Sequence, residues 1–218
     1  MQRVTKREAI VEPIHSRDEV EQAFATVAGS VIRECILAGW RSYRDLYAPG
    51  LRLVHAARTR ASIVYDHTLD QLQQRLGEIP KAQLVRIRGL WVLVLNDAFT
   101  IKIPKKLRSS RKLISKTYPT GQTRAFMRQD PQGAFDGFLA DRTSLVVGYV
   151  LDEVAAEVEI YVTCPNGMRR NWWAFELRAP EKAASGTIMP TSPLPPAGEA
   201  PFTIETPDEK PDEGGKNT

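Results

Sequence analysis

Cysteine is nearly missing from this 218-residue chain, and the two present, Cys35 and Cys164, have no metal-ligand spacing around them. That excludes a disulfide-dense scaffold and points to a reducing, cytoplasmic compartment, with a single disulfide left open. Histidine is scarce too: His15, His55 and His67 all precede residue 68. A metal-free ribonuclease would have to carry one of them to a distant substrate site. No apolar run approaches the ~18 residues of a membrane span, and the opening MQRVTKREAIVEP lacks the apolar core of a signal peptide. Neither export nor a membrane is expected. Glycine-rich phosphate loops are also lacking, since GLWVLVLND and PTGQT match neither the P-loop nor the dinucleotide fingerprint, and no cofactor is implied.

Acid is the other absence. Between Lys81 and Arg128, twelve Lys and Arg stand against one acid, Asp97, although the whole chain is only +4. The residues before this stretch come to +1, while 129–178 and 179–218 come to −4 each. Positive potential concentrated in one segment focuses on polyanions or on an acidic partner. A metal-dependent nuclease needs clustered carboxylates, and Asp97, separated from Lys102 by Ala-Phe-Thr-Ile, reads as a turn residue instead.

What is present is enough apolar sequence, 42% of residues, for a single core. Residues 1–15 read as a mobile lead-in. Ser16 and Glu19 then match a capping box and open a long amphipathic helix whose buried face is Val20, Phe24, Val27, Val31 and Cys35. Ala48-Pro49-Gly50 should stop it. A second helix is expected from about Leu51 to Leu76, with a face of Val54, Ala57, Ala61, Val64, Thr68 and Leu72 whose small alanines allow close approach to the first. Together residues 16–77 make an antiparallel hairpin. His55, Arg58, Ser62, Asp66 and Asp70 follow one another as a polar stripe, a possible site, although a solvated face with local ion pairs is the commoner use of such a pattern. His67 and Asp70 are three apart, but His55 is more than three turns from them, so no metal site is expected there.

From residue 83 to 178 the period becomes that of strands, with one short helix. Leu84–Arg88, Trp91–Leu95 and Phe99–Ile103 are expected strands, the second apolar on both faces and therefore central, with Pro104 ending the pairing. Lys105 to Lys116 looks like a basic loop, and Pro119 launches a helix through Met127. Residues 130–142 read as a loop anchored by Phe135 and Phe138. Leu145–Leu151, Val158–Val162 and Trp172–Leu177 make an antiparallel meander, with Pro165-Asn166-Gly167 as its last turn. Of the pair Trp172-Trp173, one ring should be core and the other exposed. From Ala179 on, eight prolines and an excess of acid mark a disordered tail. The expected fold class is α+β: a helical hairpin packed on a mainly antiparallel sheet of about six strands.

The stretches HAARTRASIVYDHTLDQL, LNDAFTIKIPKK, YPTGQTRAFMRQ and GYVLDE, in that order, resemble a family of uncharacterised bacterial proteins commonly encoded beside ImmA/IrrE-type metallopeptidases fused to helix-turn-helix repressors. The likeness spans roughly residues 50–178. It implies genomic company of the toxin–antitoxin, prophage or defence type, and falls on Arg58, Arg60, Ala61 and Asp66, on Lys102, Lys105 and Lys106, and on Pro119, Thr120 and Gln122. The loop Leu107–Lys116 departs from the family's shorter, more Gly-rich connection.

Candidate nucleic-acid or anion contacts are therefore Arg86, Arg88, Lys102, Lys105, Lys106, Arg108, Arg111, Lys112, Lys116 and Arg124, with Thr120 and Gln122 at a helix start whose free amides can hold an anion. Trp91, Phe99 and Tyr118 offer stacking faces, although strand alternation places Trp91 and Phe99 in the core. No catalytic residue set stands out. The function expected is a non-catalytic binding component whose partner is nucleic acid or the protein product of a neighbouring gene. The alternative is a nuclease-like toxin neutralised by that product.

Overall fold

The computed structural model describes residues 12–87, 89–115, 120–130, 141–151 and 157–179. Most of the lead-in, Arg88, Lys116, Tyr118, Pro119, Phe135, Phe138 and the tail beyond Ala179 lie outside them. The chain divides into a compact unit, Met1–Glu181, and a second, Lys182–Thr218.

Helix α1 (Arg17–Phe24) starts where the capping box requires: the Ser16 amide donates to Glu19 Oε2 at 2.7 Å and the Glu19 amide to Ser16 Oγ at 3.3 Å. Such a cap is worth ~1 kcal/mol. The expected single helix is broken at Ala25-Thr26, and α2 (Val27–Leu46) leaves at 74° to α1. Thr26 causes the break. Its hydroxyl donates back to Ala23 O at 2.7 Å and caps the Ala28 amide, a local alternative to helical pairing. Val27, expected to be buried, is the first residue of α2 and stays 56% exposed, whereas Val20, Phe24, Val31 and Cys35 are buried.

Pro49 does not simply reverse the chain; it opens a short helix, α3 (Pro49–Val54), as a proline at a first helical turn can. After a break at His55-Ala56 comes α4 (Ala57–Arg75), closed by a 3-10 turn, Leu76–Glu78. The second helix of the hairpin is thus in two pieces, with Val54 and Ala57 exposed. The hairpin itself is α2 against α4: Glu34 meets Arg75, Gly39 meets Thr68 and Tyr43 meets His55, an antiparallel run. Close approach comes from Gly39, not from alanines. A Cβ there would strike Thr68 Oγ1 and lie 3.0 Å from Val64 O.

The sheet has six strands in chain order: β1 (Ala82–Ile87), β2 (Leu90–Leu95), β3 (Phe99–Lys106), β4 (Thr143–Leu151), β5 (Val158–Asn166) and β6 (Arg170–Glu176). Every pairing is antiparallel except β3 with β4, which is parallel. The α+β class with a mostly antiparallel six-stranded sheet is what the sequence leads one to expect. Val92 and Val94 of β2 enter one core while Leu93 and Leu95 enter the other, so WVLVL is buried on both faces. Pro165 and Asn166 belong to β5, and the turn falls at Gly167, with φ 70°. Trp173 stacks on Phe175 at the core, and Trp172 is exposed.

Pro104 does not end β3. Lys102 pairs with Val146 and Lys105 with Gly148, so three steps on β3 match two on β4, a bulge that tolerates a residue lacking N–H. The bulge reverses the alternation of the strand. Ile101 and Ile103 face the core under α1–α4, whereas Leu107, four residues beyond Ile103, faces the opposite core. Gly148 permits this, since a Cβ there would strike Lys105 O and lie 2.7 Å from Leu107 Cγ.

A parallel pair needs a crossover, and the helix in it is α5 (Gly121–Met127), whose Phe126 and Met127 pack with Val92, Val146 and Val150. Helices therefore cover both faces and are not confined to the first third of the chain. Gln129 fastens the crossover. Its buried amide donates to Ser144 O at 2.9 Å and Pro165 O at 3.1 Å, and its Oε1 accepts from the Ser144 amide at 2.8 Å. Among the described residues no single helix is long and apolar enough to cross a membrane.

Candidate functional site

Where β3 finishes, a cleft of about 900 Å³ opens between the first half of α4, the end of β3 and the start of α5. Arg58, Ser62, Tyr65 and Asp66 reach it from α4, one helical face at steps of three and four. Lys105 and Lys106 come from β3, and Thr120 and Thr123 from α5. Two groups of residues that are far apart in the chain, part of the polar stripe and part of the basic segment, thus share one concavity. The bulge sets Lys106 in register with Tyr149, a residue that also lines the cleft.

Burial governs the electrostatics. Lys105 is half-buried with its Nζ 5.3 Å from the centre of the Tyr65 ring, and desolvation holds its ammonium below the ordinary lysine range. Tyr65 is pushed up by burial, against the pull of a backbone hydrogen bond with Trp91. Tyr149, edge-on to Trp40 at 5.2 Å, is pushed up to about 12 by burial. Arg86, exposed beside this group, lies over the Trp91 ring at 5.8 Å. Among the described residues Asp66 is the one carboxylate lining the cleft, against three cations, Arg58, Lys105 and Lys106. The cleft can hold anions and offers Tyr65 as an aromatic wall.

Other expected contacts go elsewhere. Lys102 is 4% exposed, its Nζ 4.0 Å from the centre of the Phe126 ring on the α5 side of the sheet; burial, with the Lys105 charge adding, pushes it down to about 7. It cannot be a surface contact. As far as it is described, from Lys105 to Ser115, the expected basic loop is not free either: Lys105 and Lys106 are in β3, and Leu107 bridges Ile114. Lys112 lies on the Tyr161 ring at 4.0 Å and 3.6 Å from Glu159, and Asn171 holds the Arg111 carbonyl at 3.1 Å. Arg108, Arg111 and Arg124 have exposed side chains.

Thr120, which lines the cleft, caps α5 by accepting from the Thr123 amide at 3.1 Å, so one of the amides at this helix start is already taken. Gln122 is half-buried and is not among the residues lining the cleft. No family model, curated protein or solved structure matches this chain.

The polar stripe does not act as one unit. His55 sits at the break before α4 and its Nδ1 is 3.2 Å from the Tyr43 hydroxyl; Asp70 accepts from Gln74 at 2.8 Å. His15 is engaged with Thr143 Oγ1 at 3.0 Å. Asp97 has φ 54° in the β2–β3 turn and is held by Arg142 at 3.2 Å, as a turn residue would be. Among the described residues no three His, Cys, Asp or Glu gather to hold a metal. The two cysteines are buried and unpaired. Tyr65 and Tyr149 were missed from sequence, because an aromatic at core spacing carries no mark that it borders a cleft.

Proposed function

We propose that this chain is a cytoplasmic, non-catalytic component of a toxin–antitoxin-like, prophage or defence regulatory module, and that it binds nucleic acid at the cleft between α4, β3 and α5. The observation that carries the reading is the convergence of Arg58, Lys105 and Lys106 around Tyr65, with Asp66 as the sole opposing charge among the described residues. Exposed cations stand on elements that leave this cleft: Arg108 and Arg111 on the hairpin beyond Lys106, Arg124 beside Thr123, and Arg86 beside Tyr65. A strand crossing the cleft can neutralise several phosphates at once, with the ring as a stacking wall for an unpaired base. The regulatory setting rests on the resemblance of the α4, β3, α5 and β4 segments described above.

The test is the salt dependence of oligonucleotide binding by the full chain. Charge reversal at Lys105 and Lys106 is expected to weaken binding and to lower the log–log salt slope by about one per lost contact. Unchanged affinity, or no binding at low salt, removes the reading. Growth arrest by the chain alone, relieved by Asp66→Ala in a folded protein, would put a toxin in its place.

A further inference from the structure

A second concentration of cations lies before the basic segment, concealed by the near-neutral charge of residues 1–80. Arg33, Arg41 and Arg44 on α2, Arg52 on α3 and Arg60 on α4 line one groove of about 930 Å³. It shares no lining residue with the cleft described above. Among the described residues the sole acid lining it, Glu34, is engaged by Arg75 at 2.8 Å. Arg33, Arg41, Arg44 and Arg52 have no hydrogen-bond or ion-pair partner among the described residues. Four guanidinium groups, Arg33, Arg41, Arg44 and Arg52, gathered without a counter-charge among the described residues repel one another, so the described residues do not make this groove a stabilising ion network.

The groove is not purely polar. Leu37, Trp40, Leu151 and Val158 contribute to its lining, and Leu53, also at its edge, is 87% exposed. Leu46, the last residue of α2, and Leu51 and Val54 of α3 are 68%, 55% and 76% exposed. Among the described residues these four are half of all large apolar side chains left in water. Helix α3 buries none of its residues, so its leucines and valine serve no core. Apolar side chains clustered in this way mark an interaction surface.

We infer that this groove, with α3 as its lip, docks an acidic segment of a partner protein that carries apolar side chains between its carboxylates. Carboxylates match the guanidinium forks in bidentate fashion, and the apolar side chains cover Leu53 and the floor. A nucleic-acid backbone would leave the leucines in water. A lipid surface, being flat, would not fill a concave groove.

Fluorescence anisotropy with the full chain and a labelled peptide of repeated Glu-Glu-Leu-Leu reads this directly. Arg41→Glu with Arg44→Glu is expected to weaken binding at least about tenfold, as loss of desolvated charge pairs does, and Leu53→Ser several-fold. All three side chains are exposed, and thermal melts of the variants confirm that folding is kept. Charge reversal at Lys105 and Lys106 leaves peptide affinity unchanged, which separates this site from the nucleic-acid cleft. A polyglutamate peptide of equal length binds more weakly. The inference is overturned by absence of peptide binding at low salt or by indifference to the arginine or leucine variants. Equal or tighter binding of polyglutamate, of an oligonucleotide at these arginines, or of phosphatidylserine vesicles also overturns it.

Discussion

Replacing Gly148 by alanine tests whether the β3 bulge depends on the missing side chain opposite it. The new methyl would strike the Lys105 carbonyl and lie 2.7 Å from Leu107 Cγ and 3.0 Å from its Cδ2. The leucine can rotate; the carbonyl cannot move without shifting the bulge. Overpacking of this kind costs ~1–3 kcal/mol. If the shift also opens the Leu107 amide bond to Tyr149 O, now 2.8 Å, a further ~1 kcal/mol is lost. A total of about 2–4 kcal/mol lowers the melting temperature by roughly 5–15 °C for a domain of this size. Urea and thermal unfolding measure it, with Gly77→Ala and Gly121→Ala as controls, since nothing lies within 4 Å of a Cβ at either. Oligonucleotide affinity should fall in the same variant, because Lys105 and Lys106 move with the bulge. A Gly148→Ala protein as stable as the Gly77→Ala control would refute the reasoning.

Lys102 makes stability depend on pH. Its folded-state value, about 7, lies below the ordinary 10.5, so the unfolded chain binds more protons between those limits. Stability is therefore expected to rise with pH across that window, and Lys102→Met should flatten the rise in urea titrations at pH 7, 8 and 9; an unaltered slope would count against burial of the ammonium. Gln129→Ala leaves the Ser144 amide and two carbonyls without their partner and is expected to cost roughly 3 kcal/mol or more, with faster amide exchange at Ser144. Gly39→Ala crowds Thr68 and the Val64 carbonyl, and a loss of about 1–3 kcal/mol by denaturant unfolding checks the α2–α4 contact.

Local chemistry was legible in the sequence wherever a few neighbouring residues decide the outcome. Ser16 and Glu19 formed their reciprocal cap, and WVLVL gave a central strand; the alternation of Val158, Ile160 and Val162 gave a strand too, but not one wet on its other face, where Tyr161 packs on the second core and Thr163 is buried. Periodicity did not reveal the breaks at Thr26 and His55, because the apolar stripe continues across both while the backbone changes direction. Pro104 was misread for a related reason. A proline excludes one ladder hydrogen bond, but whether the strand then stops or bulges is decided by the partner strand, and Gly148 lies 44 positions away in the chain. The cleft inherits that limit. Arg58 and Asp66 could be put on one helical face and Lys105 beside Lys106, but no spacing rule brings the two groups together. Burial of Lys102 was equally hidden, since a lysine inside a basic run gives no sign that a phenylalanine waits beneath it.

The parallel β3–β4 pair has a consequence for how the chain folds. Strands β1 to β3 pair with their chain neighbours, and so do β4 to β6, leaving the parallel ladder, among the described residues, as the only strand pairing between two locally wired halves. Forming it requires closing the chain from Leu107 to Arg142, and the entropy of that closure must be met before the seam returns any contact energy. The slow step of folding is expected to be this docking of halves. Gln129 then works as a clasp on the closed loop, so Gln129→Ala in stopped-flow refolding should show whether the clasp forms before the barrier, by slowing folding, or after it, by speeding unfolding.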